Sequence, residues 1–129
     1  MKQEPSGDPI SLLLVDDEDG FVNVLAKRMA RRGIEVTGVL TGTEALQVLR
    51  KKDFDIAVLD LKLEDMDGIE VLKIIKKMAP DLPVIMLTGH GSEQAAEEGL
   101  KHGAMDYLTK PCDLDELIAK INKAIPAGR

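Results

Sequence analysis

The chain has 129 residues, of which 44% are hydrophobic and 31% are charged, and its formal net charge is −6. This length and composition fit one soluble globular domain that buries a single aliphatic core. The excess of acidic over basic residues argues against direct binding of nucleic acid, which requires clustered Lys and Arg.

Three further features of the composition exclude other classes of protein. Aromatic residues make up only 2% of the chain, which argues against a flavin or base-stacking site. The sequence has no apolar run near the ~20 residues that a transmembrane helix needs, and no apolar export segment follows the N-terminus. Cys112 is the single cysteine and can form no internal disulfide, so we expect a cytoplasmic protein.

The first elements follow a polar N-terminal segment. Residues 1–9 have little to bury and predict a flexible tail. Residues 10–15 form a nearly continuous apolar run, typical of a strand that is covered on both faces, and a run of acids follows it directly. Gly33 predicts the end of a first helix. The apolar face of that helix is predicted from residues at helical spacing: Phe21, Val24, Leu25 and Met29.

The middle of the chain repeats the strand–helix pattern. Apolar residues in Ile34–Val39 predict a second strand, and Thr41 with Glu44 forms a capping-box pair that opens a second helix. The segment Ile56–Asp60 predicts a short buried strand with a carboxylate at its C-terminal end. A third amphipathic helix follows and is ended by Pro80.

Two more strand–helix units complete the pattern. Residues 83–88 and 105–108 predict the fourth and fifth strands. Residues 92–102 predict a weak helix, because Gly99 interrupts it and its apolar face is thin. Pro126 closes the last helix, which has a strong apolar stripe at Leu114, Leu117, Ile118, Ile121 and Ile125.

Five β-α units in succession predict an α/β fold with a parallel sheet, because each connection is long enough for one crossover helix. We predict one domain over residues 10–126. In open parallel sheets ligands bind beyond the carboxyl ends of the strands. Polar side chains recur just past the predicted ends: Asp16, Asp17, Asp60, Thr88 and Lys110.

In this order and spacing, these residues resemble the receiver domain of two-component response regulators. The resemblance runs from about Ile10 to Ile125. Its motifs are Leu-Val-Asp16-Asp17-Glu, Leu-Asp60-Leu-Lys-Leu-Glu-Asp-Met-Asp-Gly68, Val-Ile-Met-Leu-Thr88-Gly-His-Gly and Asp106-Tyr107-Leu-Thr-Lys110-Pro111. The resemblance implies a flavodoxin-like, doubly wound, five-stranded parallel sheet of order 2-1-3-4-5 with five helices.

The resemblance also implies a role in phosphorelay signal transduction. Asp60 accepts a phosphoryl group from a histidine kinase, and Thr88 and Lys110 assist the transfer. Neighbouring carboxylates repel each other, and a hard divalent cation relieves the repulsion. The implied Mg²⁺ ligands are Asp16, acting mainly through water, Asp17, Asp60 and the backbone carbonyl of Lys62.

Further roles concern the response to phosphorylation. The resemblance implies that Thr88 moves toward the phosphoryl group and that Tyr107 enters the space it leaves. It also implies a cis peptide bond before Pro111. Lys62 and His90 lie two positions beyond Asp60 and Thr88, and we hypothesise that they tune the access of water to the acyl phosphate.

Four functions stay open from the residues alone. A signalling receiver catalyses its own phosphorylation and dephosphorylation but is not a turnover enzyme. A metal-dependent phosphatase with an aspartyl nucleophile needs a second Asp where this chain has Lys62. An FMN binder needs a Ser/Thr/Gly-rich loop where the acidic run stands. A degenerate receiver used only for protein contact is disfavoured, because all five polar residues are present.

The expected partners follow from the resemblance. The expected phosphodonor is a sensor histidine kinase or a phosphotransfer protein. A homodimer through the face of the fourth helix, fifth strand and fifth helix is a further expectation. We expect neither direct nucleic-acid binding nor membrane insertion by this chain.

Overall fold

Strands and helices alternate along the chain in the predicted sequence. The structure is a computed structural model that describes residues 9–89 and 92–125. The strands within these residues are β1 (Ile10–Val15), β2 (Ile34–Val39), β3 (Ile56–Asp60), β4 (Val84–Thr88) and β5 (Asp106–Thr109). The helices are α1 (Asp19–Ala30), α2 (Gly42–Lys51), α3 (Gly68–Met78), α4 (Glu93–Lys101) and α5 (Leu114–Ala124).

The strands form one parallel sheet of order β2-β1-β3-β4-β5, which confirms the doubly wound fold. Val15 of β1 pairs with Leu59 of β3, and Asp60 pairs with Leu87 of β4. This register brings the carboxyl ends of the three central strands level with one another. Side chains that follow these strands therefore meet at one edge of the sheet.

Aliphatic side chains cover both faces of the sheet. Every residue of β3 and β4 is buried, as expected for strands with helices on both sides. Successive strand side chains point to opposite faces. Leu13 and Met86 belong to the core beneath α2, α3 and α4. Leu12 and Leu87 belong to the core beneath α1 and α5.

The buried face of α1 differs from the predicted one. The buried residues of this helix are Val22, Leu25 and Met29. Val24, which the sequence pattern placed on the apolar face, is 50% exposed. Val22 takes its place because it packs over Gly38 of β2, where the absence of a side chain leaves room. The prediction was therefore correct for Leu25 and Met29, Phe21 is partly buried against the same core, and only Val24 was misplaced.

Gly99 does not interrupt α4, contrary to the prediction. The helix is continuous through this position, and Gly99 is buried in it. A Cβ atom at position 99 would collide with the side chain of Met86 in β4. The glycine therefore allows the helix to lie close to the sheet, at the cost of a lower helix propensity.

The N-terminus of α2 is held by two sets of hydrogen bonds. The Thr41 hydroxyl accepts a hydrogen bond from the Glu44 N–H at 3.0 Å, as the predicted capping box requires. The carboxylate of Asp65, in the loop between β3 and α3, accepts hydrogen bonds from the Gly42 N–H at 2.9 Å and the Thr43 N–H at 3.0 Å. This second contact ties α2 to the loop that follows Asp60.

The boundaries of two predicted strands shift slightly. β4 begins at Val84 and not at Pro83, and β5 spans Asp106–Thr109. Pro126 and most of the predicted tail lie outside the described residues. Within residues 9–89 and 92–125, no helix combines the length and the apolar character that crossing a membrane requires.

Candidate functional site

Three carboxylates converge at the carboxyl edge of the sheet. Asp16 and Asp17 directly follow β1, and Asp60 ends the adjacent strand β3. One oxygen from each of the three lies within 4.8 Å of the others. Asp16 is fully buried and Asp60 is 5% exposed. Carboxylates are rarely buried without a counter-charge or a metal ion, so we expect a cation beside this cluster.

Backbone hydrogen bonds fix the two buried carboxylates. The Asp16 N–H donates to the carbonyl of Val39 at 3.1 Å, which continues the pairing of β1 with β2. Oδ1 of Asp16 accepts a hydrogen bond from the Glu18 N–H at 2.9 Å. Oδ1 of Asp60 accepts one from the Lys62 N–H at 3.0 Å. Each carboxylate therefore keeps its second oxygen for other partners.

Lys110 brings a positive charge into the acidic cluster. Its Nζ lies 2.9 Å from Oδ2 of Asp16 and 3.5 Å from Oδ2 of Asp60. The same Nζ lies 2.6 Å from Oε1 of Glu18 and 4.7 Å from the centroid of the Phe21 ring. The Lys110 side chain thus spans the gap between β5 and the start of α1.

The backbone around Lys110 is also defined. Its N–H donates to the carbonyl of Thr88 at 2.7 Å, which extends the pairing of β5 with β4. The peptide bond between Lys110 and Pro111 is cis. The hydrogen bond to Thr88 places the lysine at the carboxyl edge of the sheet, as the order of the strands requires.

The charges in the site perturb one another. Burial raises the pKa of Asp60, and the neighbouring charge of Asp16 raises it further, against the opposing Lys62 N–H and Lys110. Burial disfavours the charged form of Lys110, but its hydrogen bonds to Glu18 and Asp16 raise its pKa above the ordinary value. Burial is thus the main cause of the raised pKa of Asp60, and the charge of Asp16 adds to it.

The donor set of the cluster fits a hard divalent cation. It consists of carboxylate oxygens, two of them on buried residues, and hard cations such as Mg²⁺ prefer oxygen ligands. The three carboxylates and Lys110 leave two formal negative charges, which a divalent cation would balance. Mg²⁺ in particular suits a site with few carboxylates, because it keeps several of its waters.

Thr88 ends β4, the strand next to that of Asp60, and Tyr107 lies in the adjacent strand β5. Thr88 is 3% exposed, and its hydroxyl donates to the carbonyl of Leu108 at 3.4 Å. Tyr107 is partly buried and packs against the core beneath α2, α3 and α4. In this arrangement the Thr88 hydroxyl bonds to the backbone of β5.

The structure places most of the predicted site residues but not all of them. Asp16, Asp17, Asp60 and Lys110 converge, and Thr88 ends the strand next to Asp60. Lys62 contacts Asp60 through its backbone N–H. His90 lies outside the described residues.

Sequence reasoning missed two groups at the site, the carboxylate of Glu18 and the ring of Phe21. Both contact Lys110. Glu18 stands in the acidic run after β1, which was a signal, whereas Phe21 was assigned only to a core face. Phe21 is in fact partly buried and borders the site from α1.

Comparison with known protein families matches residues 12–122 to the family described as response regulator receiver domain. The chain belongs to this family. It is a receiver domain of the two-component response regulators, and the function implied by the resemblance is confirmed at that level.

Curated relatives of the receiver domain are response regulators. This chain is 38% identical over 124 residues to the transcriptional regulatory protein ZraR of Klebsiella oxytoca, and the match covers 96% of this chain and 28% of that protein. It is 38% identical over 112 residues to the luminescence regulatory protein LuxO of Vibrio campbellii, covering 87% of this chain and 25% of that protein. The chain thus spans about a quarter of the length of these relatives.

Solved structures of receiver domains share the fold. The Francisella response regulator 1452 receiver domain matches with a TM-score of 0.82 and 36% identity, covering 89% of this chain and 95% of that chain. A CheY-like receiver domain protein from Methanospirillum hungatei matches with a TM-score of 0.86 and 31% identity, covering 90% of this chain and 93% of that chain. These similarities confirm the predicted flavodoxin-like architecture.

Proposed function

We propose that the receiver domain accepts a phosphoryl group on Asp60 from a sensor histidine kinase or a phosphotransfer protein. One observation carries the proposal. Oxygens of Asp16, Asp17 and Asp60 lie within 4.8 Å of one another, and Nζ of Lys110 lies 3.5 Å from Asp60. This arrangement joins a buried nucleophile, a cation site and an ammonium group at one edge of the sheet.

The proposed step transfers a phosphoryl group between two protein side chains. An oxygen of Asp60 forms a bond to phosphorus while the bond from phosphorus to the donor histidine nitrogen breaks. The electron pair of the broken bond stays on that nitrogen. Lys110 and the Thr88 hydroxyl stabilise the equatorial oxygens of the transferring group, after Thr88 turns from the Leu108 carbonyl.

The proposed cofactor is Mg²⁺. We assign as its ligands Asp17 and Asp60 directly, Asp16 mainly through water, and the backbone carbonyl of Lys62. When bound, Mg²⁺ neutralises the acidic cluster and the charge on the phosphoryl oxygens. The chain's own contribution is to hold the carboxylates at fixed positions through the backbone hydrogen bonds of Asp16 and Asp60.

The proposed response to phosphorylation is a coupled movement of Thr88 and Tyr107. The phosphoryl group adds charge and hydrogen-bond acceptors, which attract the Thr88 hydroxyl. Tyr107 then enters the space that Thr88 leaves. Lys62 and His90 are proposed to tune hydrolysis of the acyl phosphate by controlling the access of water.

The proposed role in the cell is that of a switch. We assign residues 10–126 to the receiver domain, and the segment before residue 9 lies outside the described residues. The domain would catalyse its own phosphorylation and dephosphorylation without turnover of a metabolite, and the phosphodonor would meet it in the cytoplasm. A homodimer through α4, β5 and α5 is the proposed output contact, and direct contact with nucleic acid is not part of the proposal.

Incubation with acetyl phosphate and Mg²⁺, followed by intact mass measurement, tests the proposal. The wild-type chain should gain one phosphoryl group. Asp60→Asn should gain none, because the amide is a poor nucleophile. A gain of equal size in the variant, or none in the wild type, would contradict the assignment of Asp60.

A further inference from the structure

The shortest contact of Lys110 is with Glu18. Nζ lies 2.6 Å from Oε1 of Glu18, 2.9 Å from Asp16 and 3.5 Å from Asp60. The Glu18 side chain is 63% exposed, whereas that of Lys110 is 18% exposed. An exposed carboxylate outside the acidic cluster therefore competes for the ammonium that the cluster needs.

The backbone of Glu18 is anchored although its side chain reaches outward. Glu18 is the N-cap residue of α1, and its N–H donates to Oδ1 of Asp16 at 2.9 Å. Its carboxylate makes no capping hydrogen bond to α1 within the described chain. Glu is not among the preferred N-cap residues. The longer Glu side chain instead reaches Lys110, far away in sequence.

Phe21 holds the ammonium on the same side. Nζ of Lys110 lies 4.7 Å from the centroid of its ring, within the range of a cation–π contact. Glu18 and Phe21 both come from the start of α1. Together they hold Nζ toward α1, and the contact to Asp60 is the longest of its three carboxylate contacts.

We propose that Glu18 restrains Lys110 in the unphosphorylated state and thereby slows phosphoryl transfer to Asp60. This inference rests on the proposed function. In the proposed step, donation to a phosphoryl oxygen on Asp60 draws Nζ of Lys110 toward Asp60 and away from Glu18. A contact that is present in the ground state and lost in the transition state raises the barrier. Glu18 is thus a positioning residue that acts through Lys110.

The step to be measured uses acetyl phosphate as the donor. An Asp60 oxygen forms a bond to phosphorus while the bond from phosphorus to the carboxyl oxygen of acetate breaks. Acetate leaves with the electron pair. No kinase takes part, so a change in rate reports on the receiver domain alone.

Three variants separate the Glu18 contact from its charge. Glu18→Gln removes the charge and weakens the contact. Glu18→Asp keeps the charge on a side chain that is too short to keep the contact with Lys110. Asp19→Asn removes an equal charge one residue later, where the carboxylate accepts a hydrogen bond from Asn23. It serves as the matched control.

The initial rate of phosphorylation with Mg²⁺ and acetyl phosphate is the first readout. Glu18→Gln and Glu18→Asp should both raise it by about two- to five-fold, which is the range expected for loss of one solvent-exposed ion pair. Asp19→Asn should leave the rate unchanged. Thermal unfolding of each variant checks that the fold is intact.

The side-chain NMR signals of Lys110 are a second readout, which needs neither metal nor phosphodonor. Loss of the ion pair should shift the Cε and Nζ resonances of Lys110 in both Glu18 variants and not in Asp19→Asn. If Glu18 only stabilised α1, its replacement would leave the Lys110 resonances unchanged.

The outcomes distinguish the inference from the proposed function. Equal or lower rates in both Glu18 variants overturn the restraint and leave Asp60 as the acceptor. A faster Glu18→Gln with an unchanged Glu18→Asp also overturns it, because charge alone would then be responsible. Unshifted Lys110 resonances overturn it as well. Absence of phosphoryl gain in the wild type overturns the proposed function and the inference together.

Discussion

The central residue of the site is Lys110, because it is the cation that the structure sets against the buried carboxylates. Nζ lies 2.9 Å from the fully buried Asp16 and 3.5 Å from Asp60. Burial and the charge of Asp16 nevertheless raise the pKa of Asp60. Under the proposed function the lysine would have two opposing effects, because it would stabilise the transferred phosphoryl oxygens and compete with a metal ion for the carboxylates.

Replacement of Lys110 should separate its effect on Mg²⁺ binding from its effect on the rate of phosphorylation. Lys110→Ala removes a positive charge beside Asp16 and Asp60, so Mg²⁺ should bind more tightly in a calorimetric titration. The rate of phosphorylation by acetyl phosphate should fall by about 100-fold, the loss typical of one removed donor to a developing charge.

A second lysine provides the control for this experiment. Lys120→Ala removes an equal charge from α5, where Lys120 pairs with Asp106 at 2.7 Å. Both Mg²⁺ affinity and rate should stay near their wild-type values. Weaker Mg²⁺ binding in Lys110→Ala would contradict the competition that we describe.

At the scale of elements, the loop between β3 and α3 connects the acidic site to a neighbouring helix. Asp60 ends β3, and Asp65 in the following loop holds the N-terminus of α2. Oxygen acceptors are favourable at a helix N-terminus, where backbone N–H groups lack partners. The same loop therefore carries the proposed Lys62 ligand and fixes the start of α2.

The contribution of Asp65 to stability should depend on pH. Hydrogen bonds from the Gly42 and Thr43 N–H groups hold the pKa of Asp65 below its ordinary value of 3.8. Its stabilising effect is therefore present above the unfolded pKa and is lost as the pH falls through the folded pKa. Urea unfolding should show Asp65→Asn to be less stable than wild type near neutral pH, with a smaller difference at about pH 3.

The neighbouring carboxylate provides the comparison for Asp65. Glu64→Gln removes the same charge one residue earlier and should change the free energy of unfolding less at neutral pH. A difference between wild type and Asp65→Asn that is equal at both pH values would show that the hydrogen bonds do not depend on the charge.

At the scale of the whole molecule, periodicity predicted the strands and helices, and the resemblance to receiver domains implied the order of the strands. Asp16, Asp17 and Asp60 were predicted together because parallel strands present their carboxyl ends at one edge. The contact of Glu18 with Lys110 could not be predicted in this way, because it depends on side-chain conformations across distant segments. The exposed Val24 was missed because helical spacing alone does not reveal the gap above Gly38.

The role of Gly99 shows a second limit of sequence reasoning. A glycine in a helical pattern predicts an interruption when only local propensity is considered. Here close packing against Met86 decides its effect, and α4 continues through it. Tertiary packing outweighed propensity at this position, although the elements and their order were predicted correctly.

The measurement that tests the central claim most directly is a crystal structure with Mg²⁺ and beryllofluoride, which mimics a phosphoryl group. The account predicts a bond from beryllium to an Asp60 oxygen, with Nζ of Lys110 and the Thr88 hydroxyl within hydrogen-bond distance of the fluorides. It also predicts Mg²⁺ bound to Asp17, Asp60 and the Lys62 carbonyl. Beryllofluoride bound at any other residue would contradict the account.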